Sequence, residues 1–254
     1  MIVCKSASEI ERMRAANMLV ADVLHELGTL VAPGVTTADL DVAAEKLVRA
    51  AGAEPAFKGY RGYPATLCAS INEEVVHGIP SKKRALGDGD IVSLDMGVKL
   101  NGFYGDSAVT VPVGRVSDNV LQLLKVTQEA LELAIVQVRV GGRVSDIGHA
   151  VQRHVEANGF SVVREFVGHG IGSSLHEDPQ IANYGEPGRG PRLAEGMVLA
   201  IEPMVNMGRS AVKVLADGWT AVTKDGSLSA HFEHTVAVTR DGPLVLTQRT
   251  PAMS

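Results

Sequence analysis

Asp95 and Asp106 lie on either side of Asn101-Gly102, a dipeptide that fits the two positive-φ positions of a tight hairpin turn. The runs beginning at Ile91 and at Phe103 are both strand-like. With a two-residue turn, Leu100 faces Phe103 and Asp95 faces Ala108. Asp106 then shares a sheet face with Asp95 on the diagonal, at about 7 Å between Cβ atoms. Two carboxylates converging at that separation repel each other unless a cation lies between them. Solvated aspartates on an exposed face are the plainer alternative. Asp95, however, ends the apolar run Ile91-Val-Ser-Leu94, which belongs in a core rather than in water. The pair reads as part of a metal site.

The elements that must position these acids follow from periodicity. A helix is expected from about Ser6 to Leu30, with Ser6 and Glu9 at capping-box spacing and Pro33-Gly34 as its stop. A second begins after Thr37 and ends at Gly52. Residues 53–74 read as strand and loop, and strands follow at roughly 75–79, 90–99 and 103–113. Ser117 is expected to cap a third helix that runs through Val138 and stops at Gly141-Gly142, and Ser145 a fourth, ended by Asn158-Gly159.

The order of elements then begins again, and direct comparison supports a repeat at an offset of 107. Asp39-Leu40 matches Asp146-Ile147, Gly52 matches Gly159, Leu94 falls on Ile201, and Asp95 falls on Glu202. A site between two related halves would receive an acid from each. His77-Gly-Ile79 recurs as His169-Gly-Ile171 at an offset of only 92, so the second copy holds about 15 extra residues before its acid. The stretch Ser173–Pro191 is the candidate insertion, expected to overhang the site. No linker divides the halves. The chain reads as one domain over residues 1–254, with halves of about 1–115 and 116–254.

Asp95, Asp106, His169, Glu202 and Glu233 form the candidate ligand set, each in or beside an apolar strand. Four carboxylates and one imidazole are hard donors that suit Mn, Fe, Co or Zn. Four buried acids exceed the charge of one divalent ion, which argues for two ions about 3.5–4 Å apart sharing bridging carboxylates. Such a pair acidifies a shared water to hydroxide at neutral pH, and the implied reaction is metal-assisted hydrolysis of an acyl bond.

Composition excludes other classes. The net charge of -5 gives no basic footprint for nucleic acid, and Cys4 and Cys68 are too few for a disulfide framework. No apolar run approaches membrane-spanning length, so a soluble protein of the cytoplasm is expected.

The motifs Tyr60-Arg-Gly-Tyr63-Pro, Ile71-Asn-Glu-Glu-Val-Val-His77-Gly-Ile-Pro80, Leu94-Asp95 through Gly105-Asp106-Ser107, Val167-Gly-His169-Gly-Ile-Gly172 with His176-Glu177, Ala200-Ile-Glu202-Pro203 and Phe232-Glu233-His234-Thr235 occur in this order. In them the chain resembles the short bacterial type I methionine aminopeptidases of metallopeptidase family M24. The resemblance implies the "pita-bread" fold, two pseudo-symmetric α+β halves around a dinuclear metal centre. It implies removal of the initiator methionine from nascent chains when the second residue is small, by a metal-bridging hydroxide. Carried over by position, Asp95 would bind one ion, His169 and Glu202 the other, and Asp106 and Glu233 both. Glu202 would also shuttle the proton of the metal-bound water. His77 would contact substrate near the scissile amide, and His176 would donate to the carbonyl oxygen. Phe57, Tyr60, Tyr63, Cys68, Leu175 and Trp219 would line the methionine pocket. The partners implied are the N-terminal methionine of nascent polypeptides and, transiently, the ribosome, for a monomeric enzyme.

Leu175 stands where the family commonly has phenylalanine, Phe57 where cysteine is frequent, and His231 where glutamine is more usual. These departures touch pocket shape rather than chemistry, and His231 reads as a hydrogen-bonding substitute ahead of a contact to a metal ligand. His25, His149 and His154 read as surface or helix-packing residues, and strand alternation turns His234 away from the site. Two rivals remain. An Xaa-Pro aminopeptidase or prolidase would carry a large N-terminal domain, and a non-catalytic pita-bread binding protein would have lost metal ligands.

Overall fold

The computed structural model describes residues 1–249. The first half comprises α1 (Ala7–Leu30), α2 (Thr37–Ala50), β1 (Glu54–Pro55), β2 (Cys68–Ile71), β3 (Glu74–Val76), β4 (Ile91–Leu100) and β5 (Phe103–Pro112). The second comprises α3 (Asp118–Val136), α4 (Val144–Ala157), β6 (Ser161–Val162), β7 (Gly168–Gly170), β8 (Glu177–Ile181), β9 (Val198–Ile201), β10 (Met204–Asn206), β11 (Val212–Val214), β12 (Ala221–Thr223), β13 (Ser229–His231), β14 (His234–Thr239) and β15 (Gly242–Val245).

The opening hairpin has the expected register. Leu100 faces Phe103, Asp95 faces Ala108 and Gly97 faces Asp106, with both Asn101 and Gly102 at positive φ. Strand β4 is the spine of the first sheet: β5 pairs along one edge, and β2 and β1 share the other. In the second half the order is β15-β14-β9-β7-β8, and two small sheets, β13-β10-β6 and β11-β12-β3, complete the strands.

Each half has its own apolar core. Val20, Leu24 and Leu27 of α1 and Leu40, Ala44 and Val48 of α2 pack on Val92, Leu94 and Met96 of β4. Leu123 and Leu131 of α3 and Ile147 and Val151 of α4 pack on Leu199, Ile201 and Val236. A third cluster crosses between halves, with Met13 and Phe103 meeting Ile171, Leu175 and Val198. No helix among the described residues is long and apolar enough to cross a membrane.

The 107-residue repeat extends to the helix caps. Thr36, not Thr37, is the N-cap of α2, because Asp39 three residues on accepts its backbone N–H. The counterpart is Arg143, not Ser145: Asp146 accepts the Arg143 N–H, while Ser145 Oγ hydrogen-bonds the Arg189 backbone instead. Thr36 bridges to Ala85 and Arg143 to Arg192, again 107 residues apart in both members. Helix α3 ends at Val136, short of Val138. The strand expected over 75–79 ends at Val76 because His77 has φ of 61°, which breaks the extended ladder. The segment 173–191 does not overhang the site as a whole. Leu175 and His176 reach it, 177–181 form β8, and Gly188 and Arg189 fasten to the start of α4.

Helix α1 presses on β5 at Gly105, where an added Cβ would stand 2.8 Å from the backbone carbonyl carbon of Ala16. Gly105→Ala should therefore destabilise the protein by about 2 kcal/mol, read as a lower urea midpoint at unchanged slope, and an unchanged midpoint would refute this reading of the contact.

Candidate active site

Each acid is placed by a distinct backbone feature. Asp95 sits mid-strand between Cys68 of β2 and Ala108 of β5, and Asp106 stands opposite Gly97. Glu202 occupies the gap between β9 and β10, next to Pro203, which has no N–H to continue a ladder. Glu233 occupies the facing gap between β13 and β14 and is fixed from the other half. Its N–H donates to the Ala108 carbonyl at 2.9 Å, and its own carbonyl accepts the Ser107 hydroxyl at 2.6 Å. Thr235 Oγ1 likewise donates to the Asp106 carbonyl at 2.8 Å. The seam between the halves thus runs through the acids.

His169 lies on β7, and its Nδ1–H donates to the Gly170 carbonyl at 2.9 Å, which leaves Nε2 free to face the acids. Nε2 is 3.9 Å from Asp106 Oδ2 and 3.7 Å from Glu202 Oε1. Ligand atoms of Asp106, His169 and Glu233 all lie within 4.8 Å of one another, a spacing that a shared ion can close. Asp95 stands outside that tight trio but lines the same cavity. Asp95 Oδ1, Asp106 Oδ1 and Glu233 Oε1 are buried without a hydrogen-bond partner. Buried carboxylate oxygens are ordinarily satisfied, and three orphaned together on hard donors fit divalent cations.

Register explains how the halves contribute differently. In the first half Asp95 faces Ala108 and Gly97 faces Asp106; in the second, Ile201 faces His234 and Met204 faces His231. The same register places Glu202 against Glu233. Glu233 therefore corresponds to Ala108, and His231 takes the place that Asp106 holds in the first half. His231 is fully buried, neither ring nitrogen has a hydrogen-bond partner, and Nε2 lies 3.7 Å from Glu202 Oε2. The expected hydrogen-bonding substitute is not what it is: it faces a candidate ligand instead.

A cavity of about 160 Å³ adjoins the acids. All expected pocket residues line it: Phe57, Tyr60, Tyr63, Cys68, Leu175 and Trp219, together with His77 and His176. The Tyr63 hydroxyl reaches the Leu67 and Gly78 carbonyls at 3.0 Å each, and its ring meets Trp219 edge-on. Cys68 is buried, and burial together with the Asp95 charge holds its thiol well above the usual range, so it packs rather than reacts. His176 stacks on Tyr60, its Nδ1 2.9 Å from the phenol oxygen. Two residues at the site were not foreseen. Phe166 meets the His77 ring edge-on, and Arg61, inside the Tyr60–Tyr63 motif, lies over the Tyr60 ring and lines the mouth. The remaining histidines lie elsewhere, His234 on Thr247, His154 on Glu129 and His149 on the Gly185 carbonyl.

Burial raises the four carboxyls, Asp95 to about 7 and Glu202 to about 8. Asp106 and Glu233 lie well above the normal range, through burial and then through repulsion from neighbouring acids. Burial lowers His169 to about 3 and His77 to about 4, so both rings are neutral near pH 7. Acids raised in the fold stabilise it while protonated, and that contribution is lost as pH rises through their folded pKa. The lowered histidines contribute above their ordinary value near 6.5 and lose it only on acidification. Between about pH 6.5 and 8.5 the acids alone act, so the Tm of metal-free protein should fall across that window. A saturating divalent ion should abolish the fall, because ligation holds the carboxylates ionised. A flat metal-free Tm would contradict the shared burial of these acids.

Residues 11–240 match the model of metallopeptidase family M24. The chain is 54% identical over 248 residues to methionine aminopeptidase 1 of Bacillus subtilis, covering 98% of this chain and 100% of that one. It is 52% identical over 247 residues to the methionine aminopeptidase of Clostridium acetobutylicum, covering 97% and 99%. The crystal structure of methionine aminopeptidase from Thermotoga maritima superposes with a TM-score of 0.96 at 49% identity, covering 98% of this chain and 100% of that one.

Proposed function

This chain belongs to metallopeptidase family M24 and has the pita-bread fold, and from that premise we propose that it is a metal-dependent aminopeptidase removing the initiator methionine of nascent proteins when the second residue is small. The observation that carries the reading is the meeting of orphaned buried carboxylates with an apolar cavity lined by Tyr63, Leu175 and Trp219. A methionine side chain suits such walls because its thioether is flexible and polarizable.

Asp95, Asp106, His169, Glu202 and Glu233 would hold two divalent ions, drawn from Co, Mn, Fe or Zn. Bound there, the ions would supply an acidified water and a Lewis acid for the scissile carbonyl. The protein side chains do the rest. Glu202, raised by burial and open to the cavity, is suited to take a proton from water and return it to the leaving amine. His77 is neutral and held between Phe166 and Trp219, so its ring is steady beside the scissile amide. His176, fixed by Tyr60, would donate to the oxyanion as the carbonyl carbon becomes tetrahedral. The aromatic walls exclude water and seat the methionine so that the first peptide bond meets these groups.

The chain would act in the cytoplasm as a single monomeric catalytic unit, meeting nascent chains at the ribosome transiently. Hydrolysis of Met-Ala-Ser against an Ala-Pro peptide tests substrate class, and faster cleavage of the latter would replace this reading with a prolyl-specific one. Asp95→Asn should lose bound metal and activity together. His77→Ala should keep its metal, measured by elemental analysis, while kcat falls by roughly tenfold or more. Retained activity in the Asp95 variant would remove Asp95 from the ligand set.

A further inference from the structure

The segment before α1 holds a buried charge that the chemistry described above does not use. Lys5 is 8% exposed, and its Nζ donates to Glu177 Oε2 at 2.5 Å, the two side chains retaining only 5% and 10% of their exposure. Nζ also donates to the Val3 carbonyl at 2.9 Å, and the Lys5 N–H donates to the Gly196 carbonyl at 2.7 Å. The other Glu177 oxygen accepts the Ser174 N–H at 3.1 Å. Gly172 is part of the arrangement, since a Cβ there would stand 2.6 Å from Glu177 Oε1 and 2.8 Å from Lys5 Nζ. Two donors close on one carboxylate, Lys5 from 172 residues away and Ser174 from three, and Gly172 leaves the room for them.

That carboxylate sits next to His176. Residues 171–176 are irregular, and they re-enter the sheet at Glu177, which pairs with Gly170, the neighbour of His169. The loop bearing His176 is thus tied at its end to Lys5 and across its width to Ser174. Without the ammonium, Glu177 would be a buried charge with no cation, a state a protein leaves by moving the group to water. The adjoining peptide would move with it, and a displacement of about 1 Å at a reacting group can cost on the order of 10²-fold in rate. His169 is held separately, by β9 on its other side.

We propose that Lys5 is a positioning residue for His176, the N-terminal segment acting as a strap that fixes the oxyanion donor through Glu177. The inference rests on the reading of His176 as that donor. Four proteins loaded with saturating manganese test it: Lys5→Met, Lys5→Arg, His176→Ala, and the Lys5→Met/His176→Ala pair. Lys5→Met should lose roughly tenfold or more in kcat. Its KM should stay within about twofold and its bound manganese should be unchanged, and Lys5→Arg should restore most of the rate. The double variant should be no slower than His176→Ala alone, because both changes act on one group. If Lys5→Met does not fold, Lys5→Met/Glu177→Gln, which removes the tie without burying a lone charge, takes its place and should still lose several-fold in kcat, less than the single variant because the loop is released but not expelled. Normal kcat in the Lys5 variant beside a slow His176→Ala would overturn the strap, as would losses that multiply in the double variant. A His176→Ala enzyme with full kcat would instead overturn the reading of His176, and the strap with it.

Discussion

Four carboxyl groups buried within one seam are the constraint on which the structure depends. Asp95, Asp106 and Glu233 are buried with Glu202 on the cavity wall beside them; the four repel one another, and the fold answers in two ways. Burial raises their pKa values so that protons can occupy them, and their unpaired oxygens face one another across a space that divalent ions fit. Neither response works unless the backbone holds the acids together against their repulsion. The hydrogen bonds from Glu233 N–H to Ala108, from Ser107 to Glu233 and from Thr235 to Asp106 do that, since each crosses from one half to the other beside an acid.

The seam also shows how a repeated scaffold acquires an asymmetric site. Both halves place an acid at the same position of the repeat, Asp95 within β4 and Glu202 just after β9. The facing strands then diverge: Asp106 in one half corresponds to His231 in the other, and Ala108 corresponds to Glu233. Symmetry supplies the frame, and its side chains differ wherever the chemistry must. His169 adds a nitrogen donor from the second half alone, fixed by its own strand neighbour.

Around this centre, neutral and apolar groups dominate. His77 and His169 are kept uncharged by burial, so neither competes with the ions for the carboxylates. Tyr63, Trp219 and Leu175 form walls, with the Tyr63 hydroxyl turned to the Leu67 and Gly78 carbonyls. The loop carrying His176 is the least regular part of the site, and it borrows rigidity from Tyr60 and from the Lys5–Glu177 ion pair.

The sequence by itself determined the hairpin register, because an Asn-Gly turn with positive φ at both residues allows one pairing and thereby one face for Asp95 and Asp106. It showed the repeat and offered five candidate ligands beside apolar strands, and the family resemblance named the pocket residues; the fold brings all of these residues to one cavity. Where it erred, a local rule lost to a neighbouring group: Arg143 rather than Ser145 caps α4 because Asp146 completes the box, and β3 stops at His77 because that residue adopts a left-handed conformation. Only the tertiary structure could decide that His231 faces Glu202 without a partner, that Phe166 and Arg61 border the site, and that Lys5 reaches Glu177 across 172 residues of chain. Turns and caps are settled by residues within a few positions of one another. The surroundings of a buried charge are settled by whatever the packed halves bring beside it, and spacing along the chain carries no record of that.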